Sequence, residues 1–262
     1  MSVNICGIEY PIATTTILGL SYNNLTSLPK SIGSLYNLEK LDLSNNNLTS
    51  LSESFQSLTN LKELYLRDNN LTSLPESIQS LTKLKELYLK YNNLTSLPES
   101  IGMLSKLKNL YLSNNKLTYL PESIQMLSNL ESLWLSNNNL TSLPNSIGSL
   151  SNLKFLHLAN NNLTSLPESI GSLSNLRELE LSNNNLTSIP ESIAILTKIE
   201  NFVLDESSYE INNLSMDCHT LILTSIDNNI TNLPPTLRTL YLKSNINVDM
   251  IKLPYGCDII RF

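Results

Sequence analysis

Residues 61–83 read LKELYLRDNNLTSLPESIQSLTK, and residues 84–106 read LKELYLKYNNLTSLPESIGMLSK. The second segment repeats the first almost letter for letter, one period of 23 residues later. The period extends in both directions. Leu20, Leu43, Leu66, Leu89, Leu112, Leu135, Leu158, Leu181 and Leu204 are each 23 apart, and two residues before them run Leu18, Leu41, Leu64, Leu87, Leu110, Leu133, Leu156, Leu179 and Phe202. Three residues after the first eight of those leucines stands an asparagine: Asn23, Asn46, Asn69, Asn92, Asn115, Asn138, Asn161 and Asn184. Self-similarity at such a period marks a chain built from stacked units rather than from one globular core.

Each unit carries its own physical instructions. In L-x-L both leucines point to one face of a short strand and the residue between them to the other. Stacking the units pairs these strands in parallel and buries the leucines as one continuous core. An asparagine amide both donates and accepts, so a buried row of them can satisfy loop backbone groups between units. The L-P-x-S-I-x-x-L half returns along the outside, where proline fixes φ and leaves extended chain or short 3₁₀ turns. The expected fold is therefore an α/β repeat solenoid, a curved horseshoe with a parallel sheet on its concave face and extended or 3₁₀ segments on its convex face.

The unit LxxLxLxxNxLTSLPESIxxL resembles the leucine-rich repeat family in its intracellular 23-residue form, and the resemblance covers about Thr15 to Ile199. It is similar to cytosolic signalling members of that family and to arrays from large DNA viruses and bacterial effectors. The resemblance implies a non-enzymatic protein-interaction scaffold. The division expected along the chain is an N-terminal cap over 1–14, eight regular repeats over 15–198, degenerate and shorter repeats over 199–253, and a C-terminal cap over 254–262. Val3–Ile12 is apolar enough to cover the first unit, and 256–262 (GCDIIRF) to add a last strand. Between the regular and shorter repeats the pattern decays: Ser207 stands where asparagine is expected, and 206–218 keeps few leucines.

Composition narrows the function. Of 262 residues only 15% are charged, and the net charge is −6, which argues against the clustered Lys and Arg that a nucleic-acid surface needs. Cys6, Cys218 and Cys257 are an odd, scattered set that suits a reducing compartment better than a disulfide framework. The opening MSVNICGIEYP has no basic residue of a signal peptide, and no apolar run reaches the roughly 20 residues of a membrane span. Residue 2 is Ser and Cys257 is sixth from the end, so neither lipidation pattern is met. The expectation is a cytoplasmic protein, in the host cytosol if the source is viral or a pathogen. No cofactor, metal, membrane or nucleic acid is expected; the molecule is a monomer or a weak end-to-end dimer with a protein partner of unknown identity.

Specific information should sit where the repeat leaves residues free. Between the strand leucines stand Tyr65, Tyr88, Tyr111, Trp134 and His157, followed by Glu180. Neighbours in that column lie about 4.8 Å apart, so the rings form an aromatic ladder on the concave face, widened by Phe155. Aromatic residues are the usual anchors of a protein interface; the alternative is that they stabilise the sheet by stacking on one another. Glu63 and Glu86 precede the first two tyrosines by two residues, and Arg67 and Lys90 follow by two, with Tyr91 at the basic edge. Glu63 then neighbours Glu86, and Arg67 neighbours Lys90. Acid on one side and base on the other suggest a partner with the inverse pattern, unless duplication merely copied the charges.

Other motifs weigh less. N-x-[ST] occurs at Asn24, Asn47, Asn70, Asn93, Asn139, Asn162, Asn185, Asn213 and Asn229, but seven of the nine are one repeat position. The outer row Glu76, Glu99, Glu122, Glu168 and Glu191 diverges on a convex surface, where a solvated face is the expected reading. His157 and His219 are the two histidines, and neither has ligands at metal-binding spacing. Two other functions remain open: an array without a specific ligand, and a ubiquitin-ligase-like effector in which Cys257 would have to act.

Overall fold

A computed structural model describes residues 1–204, 220–223 and 233–261. The chain opens with an antiparallel hairpin, β1 (Ser2–Ile5) and β2 (Ile8–Pro11). Its two-residue turn takes Cys6 and Gly7 to φ of 55° and 83°, both in the left-handed region that suits a tight hairpin. Val3 and Ile5 are buried against the core of the first repeat, so the hairpin closes what would otherwise be an open end.

Twelve described strands then form one parallel sheet in chain order. They are β3 (Ile17–Gly19), β4 (Lys40–Asp42), β5 (Glu63–Tyr65), β6 (Glu86–Tyr88), β7 (Asn109–Tyr111), β8 (Ser132–Trp134), β9 (Phe155–His157), β10 (Glu178–Glu180), β11 (Asn201–Leu204), β12 (Thr220–Leu223), β13 (Thr239–Leu242) and β14 (Asp258–Arg261). From β3 to β11 successive strands start 23 residues apart; from β11 to β14 they start 19 apart. The repeat therefore shortens by four residues while the sheet continues unbroken. The segment around Ser207, with Cys218, His219, Asn213 and Asn229, lies outside the described residues. The tail strand expected near the C-terminus is present as β14, paired in parallel with β13.

The convex side follows from proline. A five-residue 3₁₀ turn recurs at Lys30–Ser34, Glu53–Ser57, Glu76–Ser80, Glu99–Met103, Glu122–Met126, Asn145–Ser149, Glu168–Ser172 and Glu191–Ile195. All but one are preceded by a proline with φ near −65° to −72°; a ring-locked φ hands the chain directly into the turn. The exception begins at Ser52, whose hydroxyl instead caps the amide of Ser54. Where glycine occupies the turn, the next unit comes very close. A Cβ on Gly148 would sit 2.3 Å from the carbonyl oxygen of Ser169, whereas Gln56, Gln79 and Gln125 occupy the corresponding place in other units.

Between sheet and turns runs the leucine core, with the strand leucines from Leu41 to Leu179 fully buried. Two polar rows run through it. Asn46, Asn69, Asn92, Asn115, Asn138, Asn161 and Asn184 are buried, and each amide is fully employed. Asn115 Nδ2 donates to the carbonyls of Leu89 and Leu112 at 2.9 Å, and its Oδ1 accepts from Leu94 N at 3.0 Å. Asn23 departs from the expected ladder. It is exposed and its side chain donates only to Ser21 O, because no preceding repeat supplies the carbonyl that its successors use. The second row consists of the buried hydroxyls of Ser77, Ser100, Ser123, Ser146, Ser169 and Ser192, which have no hydrogen-bond partner among the described residues.

Candidate interaction surface on the concave sheet

The strand register places Tyr65, Tyr88, Tyr111, Trp134, His157 and Glu180 directly beside one another. Their rings make two stacks rather than one. Tyr65, Tyr88 and Tyr111 lie nearly parallel, with centroids 4.5 and 4.4 Å apart, and Trp134 covers His157 at 3.9 Å. Between the stacks Tyr111 and Trp134 are tilted by 43° at 5.9 Å. The three tyrosines and Trp134 are half-buried, presenting edges to solvent while their faces cover one another. Phe155 stands in the adjacent column, between Ser132 and Glu178, and is half-buried too.

His157 differs from its expected place on an open surface: only 7% of it is exposed. Trp134 lies over its ring, Nδ1 is 3.0 Å from Glu180 and Nε2 is 3.3 Å from Glu178. The hydrogen bond from His157 holds the Glu180 carboxyl below the usual glutamate range, with help from Ser182. His157 therefore braces the end of the ladder instead of facing outward.

The two charged columns are not equivalent. Glu63 and Glu86 are neighbours, as the period requires, but each is engaged from within. The Tyr65 hydroxyl donates to Glu63 at 2.9 Å, and Tyr88 donates to Glu86 at 2.6 Å. Lys40, one strand earlier, pairs with Glu63 at 2.9 Å and lies 4.8 Å over the Tyr65 ring; Asn109, one strand later, donates to Glu86. The Lys40 contact lowers the Glu63 pKa, and Glu63 raises that of Lys40. Burial, followed by the neighbouring carboxylate, pushes the Tyr65 and Tyr88 phenols up. On the opposite edge Arg67 pairs with Asp68 at 2.7 Å, while Lys90 makes no ion pair among the described residues. Both cations lie over Tyr91, with Arg67 5.4 Å and Lys90 4.9 Å from the ring centre.

Reading the sequence by columns within a strand located the rings but missed Lys40, Asn109, Asp68, Glu178 and Ser182, each of which acts from an adjacent strand or just past a strand end. The signal for Lys40 and Asn109 was available, since both occupy the glutamate column one repeat away. On the convex side the exposed Glu99 and Glu168 each accept from an amide of the next unit, Ser123 N and Ser192 N, so part of that row caps turns. Among the described residues no group of three or more His, Cys, Asp or Glu could hold a metal ion, and no helix is long and apolar enough to cross a membrane.

A family model described as "Leucine rich repeat" matches residues 13–71, 59–117 and 105–163, and one described as "Leucine Rich repeats (2 copies)" matches 151–194. No curated protein sequence matches the chain significantly. Among solved structures, it is similar to an LRR protein of Leptospira interrogans, with 29% identity, a TM-score of 0.57, and coverage of 93% of this chain and 83% of that one. It is also similar to the plant peptide hormone receptor RGFR1, solved in complex with RGF2, with 27% identity and a TM-score of 0.66. That match covers 89% of this chain and 46% of the receptor, so the chain spans less than half of the receptor's length.

Proposed function

Because the chain belongs to the leucine-rich repeat family, we propose that it is a non-enzymatic recognition scaffold that holds a protein partner against its concave sheet, with the Tyr65–Trp134 ladder as the anchor. Repeats of this family are generally protein-interaction modules. The observation that carries the assignment is a contiguous row of half-exposed aromatic edges, held rigid by stacking and by carboxylates beneath the hydroxyls. Side chains ordered before binding lose little entropy on association. Their hot-spot contribution is about 2 kcal/mol or more per anchor. The similar structure of the plant peptide hormone receptor RGFR1 was solved in complex with RGF2, which supports a binding role for repeats of this kind.

A second reading has its own observation. The ring faces cover one another and two hydroxyls are already bonded, as in a ladder that only stabilises the sheet of an array without a ligand. One comparison separates the two. A Tyr88→Ala, Tyr111→Ala, Trp134→Ala variant and the native protein are used as baits in cytosolic extract, with both melts recorded. Loss of a specific protein from the variant, at an intact fold, is the expected result. Identical captures would leave the rings as sheet packing. An enzymatic ubiquitin-ligase role finds no support at Cys257, whose thiol is pushed up by burial and so holds less of the reactive thiolate. The free thiols of Cys6 and Cys257 suit the proposed cytoplasmic setting. The outer edges of β3 and β14 are the places where weak end-to-end association would occur.

A further inference from the structure

We infer that the partner contacts this sheet with an acidic segment, bound by a basic notch formed by Arg67, Lys90 and Tyr91 at the C-terminal ends of β5 and β6. The inference rests on the concave-face reading and adds the chemistry of what binds there. Three observations support it. First, the acid column opposite is engaged from within: Lys40 pairs with Glu63, which also accepts from Tyr65, and Glu86 accepts from Tyr88 and Asn109, so less of it is left for a basic partner. Second, the basic column is left with a single carboxylate: Asp68 pairs with Arg67, and the residue one repeat later that would pair with Lys90 in the same way is Tyr91. Third, Tyr91 holds a backbone conformation that suits other residues better.

Its φ is +57°, in the left-handed region. The equivalent residues Asn45, Asp68, Asn114, Asn137, Asn160 and Asn183 are all Asn or Asp, which tolerate that region; only Tyr22, in the open first repeat, matches Tyr91. The aromatic ring is thus kept against local preference at the one place where it lies under two cations. Tyr91 is 42% exposed, and the same edge continues with the small Ser113, Ser136 and Ala159, so nothing tall blocks a segment lying on the ladder from reaching the notch. The chain as a whole carries −6, so an acidic ligand is disfavoured over most of the surface and drawn to this edge. Such a field fixes orientation and rejects wrong partners more than it adds affinity.

The probe is a display library of random peptides selected on the purified chain, followed by polarisation titrations of labelled winners. Enrichment of runs of Asp and Glu is expected, with affinity that falls as salt is raised. An Arg67→Ser, Lys90→Ser double variant should bind those peptides about tenfold more weakly. Asp68→Asn removes the internal competitor and installs the residue that the other repeats prefer, so it should bind severalfold more tightly on an undisturbed fold. Tyr91→Asn should melt no lower than the native protein yet bind more weakly, a combination that a purely structural role does not produce. Winners without acidic residues, lost on Trp134→Ala but indifferent to the double variant, would overturn the acidic notch and keep the concave site. Binding indifferent to both sets, or no enrichment, would overturn both.

Discussion

The asparagines from Asn46 to Asn184 and the serines from Ser77 to Ser192 recur with the same spacing and lie in the same interior, yet they are used in opposite ways. Each asparagine carries two donors and an acceptor to fixed backbone groups of its own and the preceding unit; Asn138, for example, reaches Leu112 O and Leu135 O and accepts from Leu117 N. Each serine hydroxyl is enclosed without a partner among the described residues. A buried polar group contributes only when its geometry meets complementary groups; otherwise it costs its lost hydration. Repetition by itself therefore says nothing about which row holds the solenoid together.

The contrast predicts a graded series of stability effects. Asn138→Ala strands the Leu117 amide and takes one of two donors from each of the Leu112 and Leu135 carbonyls, which keep Asn115 and Asn161. Denaturant titration should show a loss of about 2 kcal/mol; a loss no larger than at a serine position would break the distinction. A group bonded to another side chain rather than to backbone should fall between the rows. Glu180, held by His157, is such a group, and Glu180→Gln should cost about 1 kcal/mol near neutral pH. The sign follows from its depressed pKa. The stabilisation is complete above the ordinary glutamate value of 4.5 and is lost as the pH falls through the lower folded value, so the variant should show a shallower acid limb in its melting profile. Asn23→Ala, at the exposed start of the row, should cost about 0.5 kcal/mol by the same titration. Ser100→Ala should lie within about 0.5 kcal/mol of the native protein, on the stabilising side if on either.

The same contrast explains how much could be read in advance. Leucine spacing fixed the parallel register because one period equals one strand, so Tyr65 beside Tyr88 needed no coordinates. The asparagine row was legible for the same reason, except at Asn23, where being first in the stack mattered more than residue type. What the sequence concealed were contacts that depend on how long side chains bend across strands. Lys40 reaching Glu63, and both carboxylates closing on His157, follow from rotamers and not from periodicity. The asymmetry between the engaged acid column and the underpaired basic one is a result of that bending, and so was invisible in the column reading.

The tilt between Tyr111 and Trp134 has an optical consequence. Trp134 is the sole tryptophan, and three tyrosines stand within a few ring spacings of it. Excitation absorbed by those phenols will pass to the indole, the lower-energy chromophore, while the imidazole pressed on its other face acts as a quencher sensitive to contact. Emission from one residue thus reports on the whole row at once: light gathered from one stack, and loss to the other. The molecule carries its own label, placed at the seam between the two stacks.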